Sequence, residues 1–486
     1  AVDASGNVCI SGRSYGDGTQ YDYATICFRP NGDTAWLERY LVPGIGWDIA
    51  QDIAFDNEGN AIVTGYSWGE SNPYDWATVK YDPNGVELWQ RRFGGAAGNE
   101  DWAYALALDS SGAVYVTGTS NGYRPDTTEF DIVTYKYRAN GDSAWVKMLD
   151  LGATDAAFAI ALDPRGAVYV TGITQDTVTG LDFITVKYRP DGETAWTRRF
   201  DGPAHSRDQA VALALDQHAN VYVIGTSTPA PGADGDWTLV KYDSAGNLVW
   251  VRYYQGPSTD QPTALATDPA GNVIVTGYTS QSGQSWDWLT IKYRPSGDTV
   301  WTRRHNGPGS GPDLANALVL DQHGNAIVTG SEYSDSGYSN IRTACYDTSG
   351  TEIWSATWSG PGQSDDEAVA VAIDRSGAVY VAGYTGTVLS GNDYVLIKYL
   401  VEPGVAEPTN PAQMPASAGA TIVRGALHLA GREQSGPALL DASGRRVMKL
   451  DPGANDLGQL APGVYFVLTA TSPRSSPRVN RIVVTK

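Results

Sequence analysis

One short phrase of sequence returns at near-constant spacing through the first four-fifths of this chain. It limits the fold before any single residue is interpreted. Ala103–Gly118, AYALALDSSGAVYVTG, shows its form: an apolar run, a D-x-x-G turn, and a second apolar run closing on glycine. The closing glycines are Gly12, Gly65, Gly118, Gly172, Gly225, Gly277, Gly330 and Gly383, so 371 residues divide into seven steps of 53. A fixed period of that length belongs to propellers, solenoids and arrays.

Each repeat reads as four short strands, A to D. Strand A alternates Ala with Leu, Ile or Val, as in Ala159–Leu162 and Ala212–Leu215. That is the period of two of a strand, and the small face suits a crowded position near an axis. The A–B turns are DASGN, DNEGN, DSSGA, DPRGA, DQHAN, DPAGN, DQHGN and DRSGA. Their Asp is a turn former and their Gly supplies positive φ. Ala219 replaces that glycine in the fifth repeat, so its turn is expected to differ. Strand B is the VYVTG-like run. Strand C is the DWATVKY-like run, with Lys80, Lys136, Lys187, Lys241, Lys292 and Lys398 once per repeat. These lysines read as packed stems with solvated heads.

Strand D carries Trp36, Trp89, Trp145, Trp196, Trp250, Trp301 and Trp354, one per repeat. Equal placement implies the same packing task each time, a large ring wedged between neighbouring sheets. The basic pairs that follow, such as Arg91–Arg92 and Arg198–Arg199, charge an outer strand against edge pairing.

The expected fold is therefore all-β: an eight-repeat β-propeller of four-stranded antiparallel blades over residues 1–400. The end blades are incomplete. The first repeat has only a stub of strand A at Ala1–Asp3, and the eighth has no Trp strand after Leu400. An open sheet edge invites a strand from flanking chain or from a neighbouring subunit. The chain opens inside a repeat and without Met, so preceding residues are expected, and a targeting segment among them is not excluded.

The A–B and C–D turns are short and share one face. The B–C and D–A loops are long and varied and share the other, including Thr119–Phe130, Thr226–Gly235 and Tyr278–Trp286. Variation on one rim of a repeated scaffold is where binding belongs. The candidate binding residues there are Trp47, Trp68, Trp102, Tyr123 and Trp286. Asp101, Asp155, Asp208, Asp313 and Asp366 each precede strand A and read as a structural ring.

No catalytic constellation stands out. His205, His218, His305, His323 and His428 have no metal-ligand spacing, and there is no nucleophile elbow or phosphate loop. No metal site or cofactor is assigned; acidic loops suit calcium, but nothing singles out a calcium site. The net charge of −20 argues against nucleic acid, and no apolar run reaches the ~20 residues of a membrane helix. Cys9 and Cys27 fall on neighbouring strands, which leaves a bridge open.

The phrases D-x-x-G-N-V-Y-V-T-G and D-[YW]-A-T-[VI]-K-Y, followed by P-x-G and Trp, resemble the bacterial seven-bladed-type β-propeller repeats over about residues 1–400. The resemblance implies a secreted or surface location and no defined chemistry. Its name implies seven blades, whereas eight B strands are counted here. Residues 401–418 are a Pro/Ala/Ser-rich linker, and 419–486 read as a small Ig-like β-sandwich. There LLDASGRRVMKL, LAPGVYFVLTA and RVNRIVVTK resemble the C-terminal sorting domain of the type IX (Por) secretion system. The resemblance implies export across an outer membrane. The expected function is a non-catalytic extracellular scaffold or adhesin, self-associating through its incomplete blade or touching cell-surface polysaccharide. The alternative is a secreted carbohydrate-active or other hydrolase using the loop rim.

Overall fold

The computed structural model describes residues 1–400, apart from 16–19, 41–45, 70–73, 96–98, 122–128, 177, 179, 231, 232, 234, 257, 259, 281–284, 361–363 and 388–390. In 401–486 it describes the backbone of seven strands. The chain separates into two units, Ala1–Val401 and Glu402–Lys486.

In the first unit the repeats fold as eight antiparallel sheets arranged as the blades of a propeller. Blade 2 shows the plan. Its A strand Asp48–Phe55, B strand Ala61–Ser67, C strand Asp75–Tyr81 and D strand Glu87–Phe93 pair in chain order. The A strands of blades 2 to 8 pack side by side in sequence and so form the inner ring. Blades 2 to 7 have four strands. Blade 1 has three, beginning with its B strand Val8–Tyr15, and blade 8 has three, ending with its C strand Gly391–Tyr399.

Every A strand is bulged at one register position, as between Ala103 and Ala105 opposite Gly118 and Thr117. The bulge drives a carbonyl onto the partner strand. A Cβ on Gly118 would lie 2.9 Å from the Ala103 Cα and closer still to the Trp102 carbonyl oxygen. The closing glycine of each repeat is thus a steric requirement of the bulge, not a turn signal. Gly12 differs. Its nearest neighbour is the Tyr394 hydroxyl from blade 8, at 2.8 Å, and no strand A backbone presses on it.

The A–B turns are built alike. The Asp56 carboxylate accepts the backbone N–H of Glu58 and Asn60, both at 2.9 Å, and the equivalent Asp does the same in the other seven turns. The fifth turn does not differ as expected. Ala219 takes φ 58° and donates to the Asp216 carbonyl at 2.9 Å, as Gly112 does to Asp109 at 3.0 Å. Between B and C strands, buried threonines meet in pairs such as Thr64–Thr78 and Thr276–Thr290, both at 2.9 Å.

Blade meets blade through one repeated contact. The Trp89 indole N–H and the Lys80 ammonium both donate to the Ala139 carbonyl in the C–D turn of blade 3, at 3.1 and 3.2 Å. Trp250 and Lys241 do the same to Pro295, at 3.0 and 2.8 Å. Lys80 also pairs with Asp56 at 2.8 Å, with both side chains 4% exposed, and Lys292 pairs with Asp268 at 3.0 Å. The heads of Lys80, Lys241 and Lys292 are thus not solvated, as the sequence implied, but buried, those of Lys80 and Lys241 as ties between blades, whereas Lys136, Lys187 and Lys398 are half-buried. The basic residues of strand D are also drawn into contacts: Arg91 and Arg252 donate to the turn carbonyls of Gly141 and Gly297, each at 2.7 Å.

The ring closes with the same contact. Lys398 of blade 8 donates to the Pro30 carbonyl of blade 1 at 3.1 Å, and Ala378 and Tyr380 pack against Val8. Cys9 and Cys27 stand directly opposite each other and form a disulfide, while Cys345 is free and buried.

The second unit holds a five-stranded sheet and a two-stranded one. In the larger sheet Arg478–Thr485 lies between Thr421–Arg424, which is parallel to it, and Gly463–Thr469, which is antiparallel. The 401–418 linker lies outside the described residues.

Candidate functional site

The seven tryptophans of strand D sit between blades. Trp36, Trp89, Trp196, Trp250 and Trp301 are buried, and Trp145 and Trp354 are half-buried. On the turn face Trp36, Trp89, Trp145, Trp196 and Trp301 each lie against a positive-φ glycine of the next blade, as Trp89 does against Gly141; at Gly297 the Arg252 guanidinium takes that place.

On the loop face the aspartates that open strand A form a buried ring. Asp101, Asp155, Asp208, Asp313 and Asp366 are joined by Asp48 and Asp260, and all are 3% exposed or less. Each anchors its D–A or B–C loop. Asp101 accepts from the Gly95 N–H at 2.7 Å, Asp313 from Gly307 at 2.6 Å and Asp366 from Gly360 at 2.6 Å. Burial pushes Asp101 up to about 6 and raises Asp155, Asp208, Asp313 and Asp366 as well, against the hydrogen bonds that favour the charged form. In two places a second and third Asp approach. Asp131, Asp150 and Asp155 bring carboxylate oxygens within 4.8 Å of one another, as do Asp182, Asp201 and Asp208. Arg199 is ion-paired with Asp182 in the second group.

The predicted binding residues divide. Trp47, Trp68 and Trp102 come together on adjoining blades. The Trp68 N–H donates to the Trp47 carbonyl at 3.3 Å. Ring contacts then run from Trp68 to Tyr74 (5.0 Å), Tyr74 to Tyr66 (5.4 Å), Tyr66 to Trp102 (6.3 Å) and Trp102 to Phe130 (5.3 Å). On the other side Trp47 meets Tyr21 (5.7 Å), and Tyr21 meets Tyr15 (5.6 Å). Tyr15 is 69% exposed and Trp47 42%. Trp286 lies apart on blade 6, against Tyr278 at 5.2 Å. Tyr123 lies outside the described residues. The tyrosines and Phe130 were not anticipated, although aligning the repeats exposes them: each of Tyr21, Tyr74 and Phe130 directly precedes the Asp of strand C.

The repeat symmetry breaks between blades 6 and 7. Glu332 replaces the Ser or Thr two residues past the closing glycine, and Arg342 replaces an apolar residue of strand C. Glu332 meets the His305 Nε2 at 2.5 Å and Arg342 at 3.3 Å, and Arg342 also reaches Glu352 at 3.2 Å. Burial opposes the Glu332 charge, but the His305 hydrogen bond and the Arg342 charge outweigh it and hold the carboxyl below its usual value. The usual Arg–Asp pair, seen in Arg92–Asp75 at 2.9 Å, has been rebuilt from other positions.

The geometry defines a β-propeller repeat protein, and the comparisons agree. The Beta-propeller repeat family model matches residues 88–124 and 249–282. An uncharacterized WD repeat-containing protein, L264, of Acanthamoeba polyphaga mimivirus is 24% identical over 434 residues, covering 69% of this chain and 29% of that protein. The regulatory protein FlaEY of Caulobacter vibrioides is 32% identical over 332 residues, covering 60% of this chain and 33% of that protein. The chain therefore spans about a third of the length of these relatives. Among solved structures, Sqt1 from Chaetomium thermophilum aligns over 81% of this chain and 93% of its own, at 12% identity and a TM-score of 0.48.

Proposed function

We propose that this chain is a non-catalytic scaffold or adhesion protein of the cell exterior, which joins its surroundings by completing its open blades with a strand. The observation that carries this reading is the state of the end sheets. The C strand of blade 5, Asp236–Tyr242, is buried throughout; in blade 8 the equivalent Val395, Leu396, Ile397 and Tyr399 are half-buried and Tyr394 is 36% exposed. In blade 1 the inner edge of strand B carries no full partner strand among the described residues: the Val2–Val8 bridge and the Ala1–Cys9 hydrogen bonds meet its start, and the Tyr394 hydroxyl of blade 8 donates to the Arg13 carbonyl further along, at 2.9 Å. Unpaired edges of this kind accept strands. Export follows from reading 419–486 as an Ig-like, type IX sorting-type domain. The oxidised Cys9–Cys27 pair agrees with an exterior location. The test is light scattering of the purified full chain, followed by electron microscopy of native material. Ordered oligomers or fibres are the expected result, and a monodisperse monomer removes self-assembly.

A second reading, a secreted hydrolase, has one observation in its favour: the His305–Glu332–Arg342 cluster breaks the symmetry as an active site does. Turnover of any glycoside that is lost in Glu332→Gln would establish it.

A further inference from the structure

The aromatic rim of blades 1 to 3 answers to nothing in the blade architecture. Tyr21, Tyr74 and Phe130 occupy one template position, the residue before the strand C aspartate. Blades 4, 5, 7 and 8 carry Leu181, Gly235, Ser339 and Asn392 there and fold into the same sheets. Packing therefore does not require a ring at that position. Yet rings fill it on three consecutive blades, where each touches a tryptophan: Trp47, Trp68 or Trp102.

The orientation of the rings matters as much as their number. Tyr21–Trp47, Trp68–Tyr74 and Tyr66–Tyr74 cross at 88°, 85° and 86°. Phe130 instead stacks on Trp102 at 25°, and the Arg13 guanidinium lies over one face of Tyr21, 5.0 Å from its centroid; an edge-on contact or a two-ring stack still leaves one face of a ring free of its aromatic neighbour. Hydrogen-bonding groups interleave with the rings. Gln20 accepts from the Trp47 indole N–H, and Gln51 bonds Tyr66. The buried Asp48 lies beneath, and the whole chain carries −20, which repels a polyanion.

We propose that this rim is a binding platform for an uncharged polysaccharide, whose sugar rings present C–H faces to the aromatic rings and hydroxyls to the amides and phenols between them. The platform deepens the reading of the protein as an adhesion scaffold, and it stands or falls separately from strand complementation. A ligand with apolar faces, hydroxyls and no charge meets all three features of the surface at once. Each ring it covers adds desolvated aromatic area, so binding spread over three blades is lost cooperatively when the rings are removed.

The test is affinity electrophoresis of the full chain through gels containing hydroxyethylcellulose, a soluble xylan or a galactomannan, with alginate as the polyanion. The variant is the triple Tyr21→Leu, Tyr74→Leu, Phe130→Leu, which gives blades 1 to 3 the residue that blade 4 already carries and so leaves the fold intact. Wild type is expected to be retarded by at least one of the uncharged polymers. The triple variant should lose about tenfold or more in affinity with an unchanged melting curve, and Trp286→Leu on blade 6 should bind as wild type. Any of four results overturns the proposal: no retardation by the uncharged polymers, wild-type binding by the triple variant, retardation by alginate alone, or saturable binding of a proline-rich peptide in place of glycan. Light scattering of the same samples reads the self-assembly proposal independently.

Discussion

Replacing two glycines of the same template position by alanine should have very different costs. At Gly118 a new Cβ would lie 2.9 Å from the Ala103 Cα and nearer still to the Trp102 carbonyl oxygen. Carbon atoms in comfortable contact stand about 3.5–4.0 Å apart, so strand A must retreat by well over half an ångström. Both obstacles are backbone, held by the bulge in Asp101–Leu108, and neither can swing aside. Gly118→Ala should therefore destabilise the propeller by about 3 kcal/mol, at the upper end of overpacking. Gly12→Ala faces only the Tyr394 hydroxyl at 2.8 Å, the far end of a side chain that is 36% exposed. Its cost should stay below about 1 kcal/mol. Guanidinium unfolding followed by tryptophan fluorescence measures both. Equal losses would refute the steric account.

Other outcomes follow from the same contacts. Lys80→Met leaves Asp56 buried without its partner and should cost about 3 kcal/mol, whereas Lys136→Met, whose head stands 3.9 Å from Asp109 and is less buried, should cost under about 1 kcal/mol in the same unfolding assay. Asp52 and Asp101 are held near 6 by burial, above the ordinary 3.8, so the folded state binds their protons more tightly. Their contribution to stability is full below the ordinary value, falls as pH rises through about 6 and is flat above; Asp101→Asn should flatten that part of the stability–pH curve, and an unchanged curve would contradict the assignment. Ala219→Gly relieves a left-handed alanine, φ 58°, and should raise the unfolding midpoint by the equivalent of up to about 1 kcal/mol; a loss would mean the turn adopts another geometry.

The 53-residue period, the D-x-x-G turns and the one-per-blade tryptophans made the propeller legible, because each is a local pattern repeated eight or seven times. The candidate site was legible only in part. Trp47, Trp68 and Trp102 are far apart in sequence and were chosen one by one. What makes them a surface is that adjacent blades place them beside Tyr21, Tyr74 and Phe130. The cluster of His305, Glu332 and Arg342 was missed for the same reason: three departures from the template mean little until blades 6 and 7 bring them within hydrogen-bonding distance.

By itself the sequence determined the strands, their order and the turns between them, since hydrophobic alternation and Asp–Gly chemistry act over a few residues. Only the tertiary structure decided what the repeated polar residues are for. Lys80 and Lys398 look alike and exposed in a string of letters, yet each donates to the carbonyl of a neighbouring blade, Lys80 from a buried position. In the sequence the closing glycines only mark the end of an apolar run, yet from Gly65 to Gly383 they are there to admit a bulged strand. The physical reason is that such contacts join residues roughly one whole repeat apart, or across the closure of the ring, and a distance of that kind exists only once the sheets have packed around their axis.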